Sequence, residues 1–154
     1  MITYVLDSNI VIKLWNQKPE FFKLMKENKN FKYIIPKNIA EEIAVKERCR
    51  YKGTYILSQR FLDLISYIED YKGIDIEDFI NKNNIKVCEN NKAYYFNDNK
   101  LSKNDLILIS LANSNKKYII VTEDKRILKA SREILGYKKA ITLEEFITIE
   151  GNIL

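Results

Sequence analysis

The chain has 154 residues, 46% of them hydrophobic and 31% charged, enough for one domain with a real core and neither disordered nor membrane-like in balance. It contains no histidine and two cysteines, Cys49 and Cys88, outside any CxxC spacing, which excludes Ser-His and Cys-His catalysis and argues against zinc. Lysine and arginine total 26 against 21 acids, a net charge of +5 that suits a polyanionic partner.

No apolar run approaches the roughly 18 residues of a membrane span, and the N-terminus lacks the basic-then-apolar layout of a signal peptide. A soluble, cytoplasmic protein is therefore expected. The chain opens on Ile2, Thr3, Tyr4, Val5 and Leu6, a buried strand running into Asp7. Ligands of open α/β sheets sit beyond the carboxyl ends of strands, so Asp7 is a functional candidate; equally, Asp7 or Ser8 could cap the next helix. Ile10, Val11, Leu14 and Trp15 recur at helical spacing, which predicts a short helix over 8–16. Pro19 opens a second helix reaching about residue 28. FKYIIP predicts a strand over 31–35 closed by Pro36, followed by a helix over 37–48. Strands separated by helices imply parallel βαβ pairing.

Ile39 and Ile43 mark the apolar face of that third helix. Glu42 lies roughly 80° from its centre and can reach a buried site, or simply line a solvated helix edge, whereas Glu41 lies opposite. The run ERCRYK, 47–52, either tracks a phosphate backbone with Tyr51 or Tyr55 available for stacking, or is a solvated surface. Residues 56–71 read as one long amphipathic helix, stopped by Gly73, with a shorter helix over 74–83 and a strand over 85–88. Turn residues around Tyr94, Tyr95 and Phe96 in 89–100 suggest a loop near the substrate path or a helical cap.

Ser102 starts a helix on whose wheel Asp105 shares a face with Leu101, Leu108, Ile109 and Ala112. A carboxylate there needs a partner, since an unpaired buried charge costs several kcal/mol. Ser102-x-x-Asp105 also matches a capping box, which would turn Asp105 back toward the helix start. Tyr118 to Val121 repeats the first strand's layout, ending in Thr122-Glu123-Asp124 before a helix over 125–135; Thr122 or Asp124 could again be no more than an N-cap. Gly136 ends that helix, 139–142 forms an edge strand, and 143–149 a last helical turn or two.

Asp7, Glu42, Asp105 and Asp124 share a geometry that capping alone does not predict. Two end strands expected to be parallel neighbours, and two sit on helices leaning toward the core. Like charges about 4 Å apart repel by about 4 kcal/mol at an effective dielectric of 20. A divalent cation turns that penalty into binding energy, and carboxylates without nitrogen or sulfur ligands select Mg²⁺ or Mn²⁺.

These residues resemble the PIN-domain ribonucleases, which include the toxin members of toxin-antitoxin pairs. YVLDSNIVI is similar to the family's first motif, IPKNIAEEI to the second with Glu42 as its functional acid, KNDLILISLA to the third with Asp105, and IIVTEDKRI to the fourth with Thr122 and Asp124. The resemblance spans residues 4–127; the segment 53–100 is longer than in the smallest toxins. It implies a three-layer α/β/α sandwich on a mostly parallel sheet of four to five strands, forming a single PIN-like nuclease domain over 1–154. It further implies Mg²⁺- or Mn²⁺-dependent cleavage of RNA, an antitoxin protein as partner, and a homodimer. Asp7, Glu42, Asp105 and Asp124 would be the catalytic metal ligands, with Asn9 and Thr122 orienting them or their waters. Arg48, Arg50, Lys52 and Lys125, close in sequence to the acids, are the expected phosphate contacts.

A phosphoryl-transfer domain with Asp7 as nucleophile fits less well. A dehalogenase-type motif needs a second acid where this chain has Asn9, and a receiver needs an acid ending a later strand where FKYIIP ends in Pro36. The other alternative is a non-catalytic PIN-like RNA-binding or protein-interaction module that keeps the acids without turnover.

Overall fold

A computed structural model describes residues 1–151. Its centre is a five-stranded, wholly parallel sheet in the order β10-β9-β1-β2-β5. The strands are β1 (Ile2–Leu6), β2 (Phe31–Pro36), β5 (Ile68–Glu69), β9 (Tyr118–Val121) and β10 (Ala140–Ile141). β1 is the middle strand, with Tyr4 opposite Tyr33 on one side and Ile119 on the other. Such a strand is buried on both faces and reads as a continuous apolar run.

Alternation along the strands separates two cores. Tyr4, Leu6, Tyr33 and Ile35 face α1 (Ser8–Gln17), α2 (Phe21–Glu27), α3 (Lys37–Glu47) and α8 (Leu143–Gly151). Val5, Ile34 and Ile120 face α5 (Ile76–Lys82), α6 (Lys103–Asn113) and α7 (Lys125–Leu135). The result is a three-layer α/β/α sandwich, as the resemblance implied. In the first core Phe146 packs edge-on against Tyr4 at 5.0 Å and Phe21 at 5.4 Å between centroids. Beside them Glu150, 2% exposed, accepts hydrogen bonds from the Tyr33 hydroxyl at 2.5 Å and Asn28 Nδ2 at 2.7 Å, so α8 is pinned by a satisfied buried carboxylate.

Three stretches depart from the expectation. Residues 56–71 are not one helix but the end of a hairpin strand, a single turn α4 (Gln59–Leu62), a 3₁₀ turn (Ile65–Tyr67) and β5. Ser58 restarts the chain by accepting from the Phe61 amide at 3.3 Å, and Ile56, Leu57 and Ile65 of the expected apolar stripe are exposed. The basic run lies in a hairpin of β3 (Cys49–Tyr51) and β4 (Thr54–Ile56), whose loop residues Lys52 and Gly53 have φ of 47° and 80°. Positive φ at both loop residues matches the right-handed strand twist, and glycine takes the second at no steric cost.

Residues 89–100 are neither loop nor helical cap. They contribute β7 (Ala93–Phe96) and β8 (Asn99–Leu101), which with β6 (Lys86–Cys88) make a three-stranded antiparallel sheet. The strand expected over 85–88 therefore exists outside the central sheet, whose edge is taken by β5. No helix among the described residues is long and apolar enough to cross a membrane.

Candidate functional site

Strand order reverses beside β1: the chain winds from β1 out through β2 to β5, then returns to lay β9 on the other side. The crevice at such a switch point, beyond the carboxyl ends of the strands, is where open parallel sheets take ligands. Leu6 and Val121 are register partners there, so the next residues, Asp7 and Thr122, leave the sheet side by side.

Asp7 is the N-cap of α1 and 4% exposed. Its Oδ1 accepts from the Ser8 amide at 2.8 Å, while Oδ2 accepts from Thr122 Oγ1 at 2.7 Å and Asn9 Nδ2 at 3.2 Å. Burial pushes the carboxyl up to about 6; the Thr122 and Ser8 bonds oppose the rise, and the charges of Asp105 and Glu42 add to it. Thr122, fully buried, also accepts from the Asp124 amide at 3.0 Å. Asn9 bridges as well, its Oδ1 accepting from the Glu123 amide at 3.2 Å. Asp7 caps α1, and it is at the same time a buried carboxylate among other acids, so the cap does not turn it away from the crevice.

The same applies to Asp105. Ser102 Oγ accepts from the Asp105 amide at 3.1 Å and Asp105 Oδ2 accepts from the Ser102 amide at 2.8 Å, a complete capping box. Burial, aided by the charges of Asp124 and Glu42, still raises its carboxyl from its ordinary value against the Ser102 hydrogen bonds. Asp124 is the N-cap of α7, its Oδ1 accepting from Arg126 N at 2.8 Å and Ile127 N at 3.4 Å. Glu42 is half-buried and Glu41 exposed, as helix geometry predicts. Glu42 Oε1 accepts from Asn104 Nδ2, which ties α3 to α6.

The four acids thus feel one another electrostatically, Asp7 through Asp105 and Glu42, Asp105 through Asp124 and Glu42. Among the described residues, no three histidine, cysteine, aspartate or glutamate side chains are close enough to hold one ion as they are placed. The donor set is nonetheless all oxygen, and each helix cap engages one carboxylate oxygen, Oδ2 of Asp105 and Oδ1 of Asp124. Hard-cation chemistry fits these donors.

Lys125, exposed, is the first residue of α7 and adjoins Asp124. Arg48, Arg50 and Lys52 are exposed on or beside the hairpin, with no ion pair to any of the four acids among the described residues. Two contributors escaped the sequence reading. Asn104 has no pattern to mark it, because an asparagine at a helix start resembles any cap-region residue. Glu123 accepts from the Leu143 amide at 3.0 Å and from Lys13 Nζ at 3.4 Å, linking β9, α1 and α8; its place between Thr122 and Asp124 was the available signal.

Fold and site together define a parallel α/β/α sandwich with an acidic crevice at its switch point. A solved structure with this architecture is that of PAE2754 from Pyrobaculum aerophilum, similar at a TM-score of 0.60 over 98% of this chain and 90% of that one. At 15% identity the likeness shows the fold alone. No family model matches the chain, and no curated protein matches its sequence.

Proposed function

We propose that this protein is a Mg²⁺- or Mn²⁺-dependent endoribonuclease of the PIN-domain type. The observation that carries the reading is Asp7: a carboxylate 4% exposed at the switch point, its ionisation opposed by burial and by two neighbouring acids. No cation of the protein forms an ion pair with it among the described residues. A buried charge of this kind needs a counter-charge, and an oxygen-only donor set selects a hard divalent ion.

Asp7, Glu42, Asp105 and Asp124 would hold one or two such ions, directly or through water. A bound divalent ion supplies Lewis acidity, activating water for attack and offsetting charge that builds on the phosphate oxygens. Thr122 and Asn9 fix the Asp7 carboxylate through two hydrogen bonds, so its orientation is set before any ligand arrives. Asn104 donates to Glu42 Oε1 and so restrains that carboxylate between α3 and α6. Asp7 has hydrogen bonds on both oxygens, which suits a held ligand better than a nucleophile.

Similarity to the toxin-type members extends the proposal to RNA in the cytoplasm, an antitoxin protein as partner and a homodimeric state. The second reading is a PIN-like module that binds RNA or protein without cutting. It draws on the engagement of Asp105 and Asp124 as helix caps.

Cleavage of single-stranded RNA with added Mn²⁺ separates the two. The nuclease reading expects cutting that EDTA abolishes and that Asp7→Asn reduces at least about a hundredfold, with the circular dichroism spectrum unchanged. RNA retained but never cut favours the binding module, and unchanged cleavage by Asp7→Asn removes the acids from the chemistry.

A further inference from the structure

The β3–β4 hairpin leaves charges and apolar surface that the fold does not use. From residue 48 to residue 62 the sequence holds Arg48, Arg50, Lys52 and Arg60 and no acid. Arg60 is paired with Glu47, but Arg48, Arg50 and Lys52 have no carboxylate partner among the described residues. They gather instead on aromatic rings. The Arg48 guanidinium stands 4.7 Å and that of Arg50 5.8 Å from the Tyr55 ring centroid. Arg50 and Tyr55 are cross-strand partners, so they share one face of the ribbon.

That face adjoins a groove of about 190 Å³ between the hairpin and the last turn of α3, lined by Val45, Arg48, Tyr55, Ile56 and Leu57 among others. Val45 and Tyr55 are each 59% exposed and Ile56 43%, large apolar side chains left to water. An apolar slot walled by tyrosine and edged by unpaired arginines has the chemistry of a single-strand platform: a π-face and apolar floor for an unstacked base, and cations for the phosphates beside it. The hairpin is continuous with the acidic crevice through α3, since Arg48 follows Glu42 by six residues, about 9 Å at 1.5 Å per residue.

We propose that the groove and the hairpin face bearing Arg48, Arg50 and Tyr55 dock single-stranded RNA, one base entering the groove and its flanking phosphates meeting the two arginines. This rests on reading the acidic crevice as a site that acts on RNA, and it assigns the strand's path to one side of that crevice, along α3. Duplex RNA is excluded from the slot because its bases are already stacked and paired.

The test is binding of a fluorescein-labelled oligouridylate to the full chain by fluorescence anisotropy, in EDTA so that no cutting intervenes. Tyr55→Ala is expected to weaken binding roughly 5- to 150-fold, the usual effect of removing one stacked base's aromatic partner. Arg50→Ala should weaken it and flatten the salt dependence by about 0.7 in the log-log slope, as for one lost single-strand phosphate contact. Thr54→Ala, on the opposite ribbon face, should bind like the parent, and a duplex of equal length should bind more weakly.

Parental affinity in both Tyr55→Ala and Arg50→Ala overturns the proposal, as does equal affinity for the duplex. Displacement of the RNA by poly-glutamate at equal charge concentration, as effective as by unlabelled RNA, also overturns it in favour of an acidic protein partner. The two readings fail separately. RNA that is cut but bound without the hairpin sinks the docking site alone, and RNA held by the hairpin but never cut sinks the nuclease alone.

Discussion

Asp7 is a carboxylate whose ionisation works against the fold. Its pKa stands near 6 in the folded protein, raised chiefly by burial, against an ordinary value of 3.8. The folded state therefore holds a proton that the unfolded state has lost across the range between those values. Stability of the metal-free protein must fall as pH rises through that window and stay lower above it, by up to about 3 kcal/mol. Asparagine at this position keeps the Oδ1 acceptor for the Ser8 amide and carries no charge, while its amide nitrogen replaces the Oδ2 that accepts from Thr122 and Asn9 and so offsets part of the gain. Asp7→Asn should thus raise the metal-free melting temperature at pH 7.5 by a few degrees, at about 2–4 °C per kcal/mol for a chain of this size. At pH 4.5, still above the ordinary value of 3.8, only about a third of the charge effect should remain, and a difference between variant and parent that does not change with pH would show that burial of the charge is not costly.

At the scale of elements, the acids are placed by helix starts. Asp7, Asp105 and Asp124 each sit in the first turn or cap of α1, α6 or α7 and each accepts a backbone amide there. The positive end of a helix steadies a carboxylate that burial disfavours. Ser102→Ala removes one half of the α6 box and should cost about 1 kcal/mol, a drop of about 2–4 °C in melting temperature. A larger loss would mean that Ser102 supports more than the cap. On the other side of the sheet, Tyr33→Phe deletes the buried donor to Glu150 and should destabilise by about 1–3 kcal/mol, seen as a lower urea midpoint with an unchanged slope.

Elements long enough to show a period were legible: β1, β2 and β9 as apolar runs, α1, α3, α6 and α7 from their stripes. Residues 56–71 were not, because Ile56, Leu57, Phe61, Leu64, Ile65 and Ile68 fit a helical stripe while belonging to a hairpin, a single turn, a 3₁₀ turn and a two-residue strand. Such pieces are shorter than either period, and only tertiary packing tells them apart. Of the small antiparallel sheet β6 was legible, but β7 and β8 were hidden for the same reason, these four- and three-residue strands being separated by turn residues such as Asn97 at φ 52°.

In the whole molecule the crossover from β5 to β9 makes the site, because it brings residues 7 and 122 to adjacent strand ends. The four acids were legible from strand ends and helix faces. The hydrogen bonds that orient them were only partly so: Asn9 and Thr122 were expected, whereas Asn104 reaches Glu42 across a contact between α6 and α3 that no local pattern encodes. The arginines of the hairpin were legible as a charge run but not as a ribbon face. That Asp7, Glu42, Asp105 and Asp124 form one divalent-cation site is the claim on which the functional reading stands. Its most direct test is Mn²⁺ titration followed by the paramagnetic resonance signal of free Mn²⁺, in the parent protein and in Asp7→Asn and Asp105→Asn. Saturable depletion of the free signal at one or two ions per chain, weakened about tenfold or more by each substitution, is the expected result; equal uptake by all three proteins, or none by the parent, would contradict it.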